Sequence, residues 1–190
     1  MQIILQPVLY QPSKDIISQL ENILSEEFNA YSVNTAPMIR EISHQLFDKQ
    51  RNQWKSNDIL QWLSDKYRLF SKSTTKILAL CDFDAYSGRL NFVLGEAYLD
   101  GSISAIYLPR LTQEFYRLKS DESLYHQRIL KEAVHELGHA FGLNHCKNIR
   151  CVMHFSNSLS VTDFKTSHLC NVCKGHLEYF VCRDHFLPEK

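Results

Sequence analysis

A chain of 190 residues is long enough to bury the core of one domain and short for two. With 44% apolar and 22% charged residues, six Gly and five Pro, it excludes collagen, low complexity and long disorder. Lys plus Arg, at 21, balances Asp plus Glu, at 21, which argues against a protein held on nucleic acid by phosphate attraction.

No stretch approaches the run of about eighteen apolar residues that a membrane span needs. The N-terminus lacks a basic segment, and Gln6 and Pro7 break its apolar stretch, so no targeting peptide is expected. These features predict a cytosolic protein, taken as a monomer, with one domain over residues 1–190.

In chain order, residues 2–6 read as a short strand ended by Pro7. Ser13 is a predicted N-cap, and Ile16, Ile17, Leu20, Ile23, Leu24 and Phe28 follow at helical spacing. Tyr31 to Asn34 suggest a strand. A helix is expected over about 38–48 and another over 57–69, the second with Ile59, Leu60, Leu63, Tyr67 and Phe70 on one side. Lys76 to Asp82 is almost continuously apolar, as a central strand covered on both faces would be, with Cys81 as a buried thiol. Residues 86–89 form a turn. Phe92 to Tyr98 and Ser102 to Leu108 read as strands joined at Asp100 and Gly101, a hairpin signal. Residues 121–144 carry the longest helical pattern. The chain beyond it reads as irregular and rich in cysteine.

The string HELGHAFGLNH, residues 135–145, carries the chemistry. His135 and His139 are one helical turn apart and point the same way, so they can share one zinc ion. Glu136 flanks that position and can take a proton from water at the metal. Gly142 can end the helix through a left-handed turn, after which His145 can return as a third ligand. Three protein ligands leave a position open, the mark of a catalytic rather than a structural zinc. Five fixed positions recur by chance in about one window in three million, whereas a bare HExxH fixes only three. The plainer alternatives are a packed helical pair of histidines, or a zinc site without turnover.

Cys146, Cys151, Cys170 and Cys173 form two close pairs, which suits one closed tetrahedral zinc. Cytosolic chemistry disfavours disulfides between them. A competing set, Cys170, Cys173, Cys182 and His185, would make a ribbon-like module and leave Cys146 and Cys151 unused. His154, His168 and His176 read as surface polar residues, and Met153 alone as a core filler.

The segment HELGHAFGLNHC, then CVM at 151–153, then CNVC at 170–173, resembles the archaemetzincins, a branch of the metzincin zinc peptidases. KEAVHELGH, CVMHFSNSL and NFVLGEA are similar as well. The resemblance implies an α/β (α+β) metzincin-like fold. Its parts would be a twisted, mostly parallel sheet with an antiparallel edge strand, a long active-site helix, and a cysteine-rich C-terminal part stapled by zinc. It implies two zinc ions per chain: a catalytic one on His135, His139 and His145, and a structural one on Cys146, Cys151, Cys170 and Cys173. Glu136 becomes the general base, Met153 the residue of a turn beneath the metal, and a strand between Asn91 and Leu108 the edge that pairs with an extended peptide. No latency segment is recognised, so open access to the site is expected. Cys182 and His185 do not map onto the family pattern.

The expected function is therefore a zinc metallopeptidase acting on peptides or proteins, with endo- and aminopeptidase action both open. An alternative is an inactive zinc protein that binds peptides or protein partners. A zinc-ribbon nucleic-acid module is disfavoured by the neutral charge.

Overall fold

β1 (Gln2–Val8) pairs in parallel with β2 (Ser32–Thr35) on one side and β5 (Thr75–Cys81) on the other. The computed structural model describes residues 2–29, 32–68 and 75–186, and side chains up to residue 180. Tyr31 and Phe70, named in the expected elements above, lie outside the described residues.

Pro7 does not end β1. Its carbonyl accepts from the Ile39 N–H at 2.9 Å, so its missing N–H also lies on that side, away from β5. The ladder to β5 loses nothing, and a proline is tolerated there.

β5 continues to β8 (Ile103–Tyr107), again in parallel, and β8 pairs antiparallel with β7 (Gly95–Ala97) at the sheet edge. The order β2-β1-β5-β8-β7 is thus a mostly parallel sheet with one antiparallel edge strand. From Ile77 onward β5 is apolar because both faces are covered. Leu78 and Leu80 face one core with Ile3, Leu5 and Ile106, while Ile77, Ala79 and Cys81 face the other with Ile103 and Tyr107.

Helix α1 (Lys14–Phe28) is capped by the Ser13 hydroxyl, which accepts from the Ile16 N–H, and buries Ile16, Leu20, Ile23, Leu24 and Phe28 in the first core. Helix α2 (Ser56–Tyr67) covers the opposite face with Ile59, Leu60 and Leu63.

The helix expected over 38–48 is absent. Ile39 bonds to the end of β1, a single 3-10 turn spans His44–Leu46, and β3 (Phe47–Asp48) pairs with β4 (Gln53–Lys55). β4 also pairs with β6 (Ala85–Tyr86), forming a second small sheet. Main-chain pairing with an existing strand end outcompetes a short, weakly patterned helix. The expected strand over 92–98 is shorter, because Val93 bridges back to Ala85 and only Gly95–Ala97 joins the ladder.

Helix α3 (Glu122–Ala140) starts at the Asp121 cap and ends at Gly142, whose φ is 92°. The Leu143 N–H reaches the Gly138 carbonyl and the Gly142 N–H the His139 carbonyl, both at 2.9 Å, which is a Schellman closure. The last carbonyls of α3 are also met from the sheet. Lys76 Nζ donates to Ala140 O at 3.0 Å, and the Asp100 N–H donates to His139 O at 3.0 Å. The end of the helix is therefore fixed against the β7–β8 hairpin.

The C-terminal part is helical rather than irregular: α4 (Leu159–Phe164) and α5 (Asn171–Phe186) follow. α4 is locked to α3 by Arg128, which donates to both carboxylate oxygens of Asp163 at 2.7 Å. Asp163→Ala leaves a nearly buried guanidinium without its partner. We expect a loss of about 2–3 kcal/mol, below the range for a fully buried pair because Asp163 is partly exposed. Thermal denaturation should show it as a fall of about 5–10 °C in Tm.

Candidate active site

His135 and His139 project from the C-terminal half of α3, where the helix is buried on nearly every side. The His135 Nδ1–H donates to the Val152 carbonyl at 2.8 Å, and the His139 Nδ1–H to the Leu143 carbonyl at 2.7 Å. A carbonyl can only accept, so both protons sit on Nδ1 and both Nε2 atoms present lone pairs. Those two Nε2 atoms lie 3.2 Å apart with nothing to donate between them.

His145, carried round by the Gly142 turn, places its ring 4.8 Å from that of His139 and 5.4 Å from that of His135. One ligand atom from each of the three falls within 4.8 Å of the others. Burial is the first cause holding all three imidazoles in the neutral form, His135 most strongly and His139 down to about 4. Two opposed lone pairs and three unprotonated rings repel each other unless a cation sits between them. Tetrahedral zinc bonds of about 2.0–2.1 Å imply ligand edges of about 3.3 Å, which the Nε2 separation matches.

Glu136 is 5% exposed and faces the same cleft. Burial, reinforced by Glu132 and Glu96, holds its carboxyl well above the usual range. Gly95 on β7 lies against it: a Cβ there would stand 2.5 Å from Glu136 Cγ and 2.6 Å from Oε1. In the antiparallel ladder, Leu94, Glu96 and Tyr98 turn their main-chain groups to β8. Gly95 and Ala97 therefore turn theirs outward, along the cleft. The cleft holds about 450 Å³, and Glu96, Glu132, Phe155 and Ser156 add to its walls. A larger hollow of about 830 Å³ opens on the other side of His145, bounded by Cys146, Tyr179 and Phe180, and does not reach Glu136.

Met153 is buried beneath α3, its Sδ pressed against Gly138, where no side chain would fit. The turn that contains it binds both ends of the site. Val152 O holds His135, and Met153 O accepts from the Cys146 N–H at 2.9 Å, next to His145.

Cys146, Cys151, Cys170 and Cys173 also converge. Cys146 Sγ is 3.8 Å from Cys170 Sγ, and Cys151 Sγ is 3.7 Å from Cys173 Sγ. Disulfides would need about 2.05 Å, whereas a tetrahedron with Zn–S near 2.3 Å has edges of about 3.8 Å. Burial pushes the Cys170 thiol up, but the Cys173 N–H and the three neighbouring sulfurs outweigh it and bring it down to about 7. The alternative set with Cys182 and His185 is not favoured: those residues lie further along α5, Cys182 roughly 13 Å beyond Cys173 on the axis. Their side chains lie outside the described residues.

Three features of the site have little or no sequence signature. The Val152 and Leu143 carbonyls are main-chain groups. Gly95 is visible only as one glycine in an apolar run. His168 is no plain surface residue, since its Nδ1 bonds to the buried Glu27 at 2.7 Å and its carbonyl accepts from the Val152 N–H at 3.1 Å. Glu132 could have been noticed, four residues before Glu136 on one helix face.

Comparison with known proteins agrees with this geometry. Peptidase family M54 matches residues 29–179. An archaemetzincin of Pyrococcus horikoshii is 36% identical over 177 residues, covering 91% of this chain and 93% of the relative. The archaemetzincin of Archaeoglobus fulgidus, solved in complex with malonate, superposes with a TM-score of 0.75 at 35% identity, over 92% of this chain and 99% of that one. A zinc-dependent peptidase from Methanocorpusculum labreanum superposes with a TM-score of 0.82 at 28% identity, with the same coverage. The chain belongs to peptidase family M54, the archaemetzincins, and is a zinc metallopeptidase of peptide or protein substrates.

Proposed function

We propose that His135, His139 and His145 hold the catalytic zinc, that Glu136 is the general base and then the general acid, and that Cys146, Cys151, Cys170 and Cys173 hold a second, structural zinc. The observation that carries this is the pair of Nε2 lone pairs 3.2 Å apart beside a buried carboxylate. Zinc bound there supplies a Lewis acid that polarises a peptide carbonyl and acidifies water to near neutrality. Glu136 accepts the proton of the attacking water on its carboxylate and passes it to the nitrogen of the departing amine. The outward N–H and C=O groups of Gly95 and Ala97 pair with an extended substrate and align its scissile bond. Met153 and Gly142 act through the ligands, fixing the floor under α3 and the return of His145.

Several further properties are proposed with it. The chain is taken as a monomer with a single peptidase domain over 1–190. The formal net charge of zero supports a protein without a nucleic-acid partner. Among the described residues, no helix is long and apolar enough to cross a membrane. Action in the cytoplasm fits four reduced, clustered thiols.

The test is elemental analysis together with exposure to a mixed peptide library read by mass spectrometry. Two zinc ions per chain are expected, with cleavage that a chelator abolishes and added zinc restores. Metal without cleavage would instead favour a peptide-binding protein. Internal cuts would mark an endopeptidase, and loss of single N-terminal residues an aminopeptidase.

Gly95→Val provides a sharper check of Glu136. The new side chain would displace the carboxylate, and a misplacement near 1 Å costs about 10²-fold in rate. We expect kcat to fall to that extent with two zinc ions still bound.

A further inference from the structure

We propose that Glu132 makes one end of the cleft a subsite for a cationic side chain, so that the enzyme prefers Lys or Arg at a position flanking the bond it cuts. The proposal rests on the peptidase activity and adds the chemistry of the substrate. Glu132 lies one turn before Glu136 on α3 and lines the same 450 Å³ cavity, although only 3% of its surface is exposed. It stands one helical turn before His135 and Glu136, toward the start of α3.

The carboxylate is only half engaged. Thr162 Oγ1 donates to its Oε1 at 3.2 Å, and Lys165 Nζ lies 3.8 Å from the same oxygen. Among the described residues, Oε2 has no hydrogen-bond partner, although a carboxylate offers about four acceptor sites. Lys165 is fully buried, is drawn by His154 O at 3.2 Å, and does not line the cavity. It offsets part of the charge of Glu132 from behind without presenting a cation to the substrate.

Two further features match a long basic side chain. Ser156 Oγ is buried without a partner and belongs to the same wall. Phe155, half exposed with its ring 5.0 Å from that of His145, gives with Val93 and Leu94 an apolar lining for an aliphatic stem. Among the described residues no Lys or Arg lines the cavity, whereas Glu96, Glu132 and Glu136 do. An acidic side chain would meet like charge. An apolar one would leave both Glu132 Oε2 and Ser156 Oγ unsatisfied, which is how a polar subsite discriminates.

The test uses the zinc-loaded full chain and quenched peptides that differ only at the two positions flanking the cut, carrying Lys, Arg, norleucine or Glu. In the wild type, kcat/KM for Lys or Arg at one of those positions should exceed that for norleucine by about 10–100-fold, with Glu lowest. Glu132→Gln should bring the Lys to norleucine ratio close to one. Ser156→Ala, which touches no ion pair, should reduce it a few-fold and serves if Glu132→Gln fails to fold. Calorimetric binding of the same peptides to Glu136→Gln reads the preference without turnover, so loss of catalysis and loss of preference are separable. Equal binding of Lys and norleucine peptides, or a preference that Glu132→Gln and Ser156→Ala leave intact, would overturn the proposal.

Discussion

Glu136→Gln is expected to lower kcat by about 10²–10⁴-fold on every peptide, while zinc content and Tm stay near wild type. The substitution keeps the shape of the side chain against Gly95 and removes only the ability to accept a proton. Burial raises the carboxyl of the metal-free protein, and a zinc ion on the histidines would favour the ionised form that accepts a proton. Because neither imidazole partner of Val152 and Leu143 is touched, the histidine geometry should persist. Kinetics on a cleaved peptide, with parallel zinc analysis, check both halves. Loss of zinc with loss of rate would mean that Glu136 supports the ligands rather than the chemistry.

The second large effect concerns the cysteine site. Cys151→Ser should release the zinc proposed there and destabilise the C-terminal part severely, since structural zinc sites carry apparent binding energies of about 10–16 kcal/mol. Its neighbour Val152 supplies the carbonyl for His135, and Cys146 follows His145 directly. Loss of the thiolate cluster should therefore loosen two of the three histidines as well. A fall of about 10–100-fold in zinc affinity at the histidine site is expected from such a disturbed partner. Cobalt substitution separates the two sites, because thiolate and imidazole coordination differ in their absorption. An unchanged histidine-site affinity would show that the two clusters are independent.

The sequence made some of this legible and hid the rest, for physical reasons. Residues 135–145 announce their chemistry because helical periodicity and a left-handed glycine are local properties. In the structure they become a histidine pair, a Schellman turn and a returning His145. The apolar run of β5 was readable because burial on both faces leaves no polar register. Residues 38–48 were not, since their state is decided by the free end of β1, thirty residues earlier. α5 is hard to read because its apolar residues are scattered round the helix instead of forming one stripe. Glu132, Lys165 and Gly95 matter through contacts with distant segments, which a single sequence does not display.

β7 is only three residues long, and just two of them, Gly95 and Ala97, turn their main chain outward. That grip offers at most four amide contacts, each worth about 0.5–1.5 kcal/mol net. A folded chain would have to unravel locally before it could dock there. A substrate segment that crosses the cleft therefore has to be extended where it meets β7.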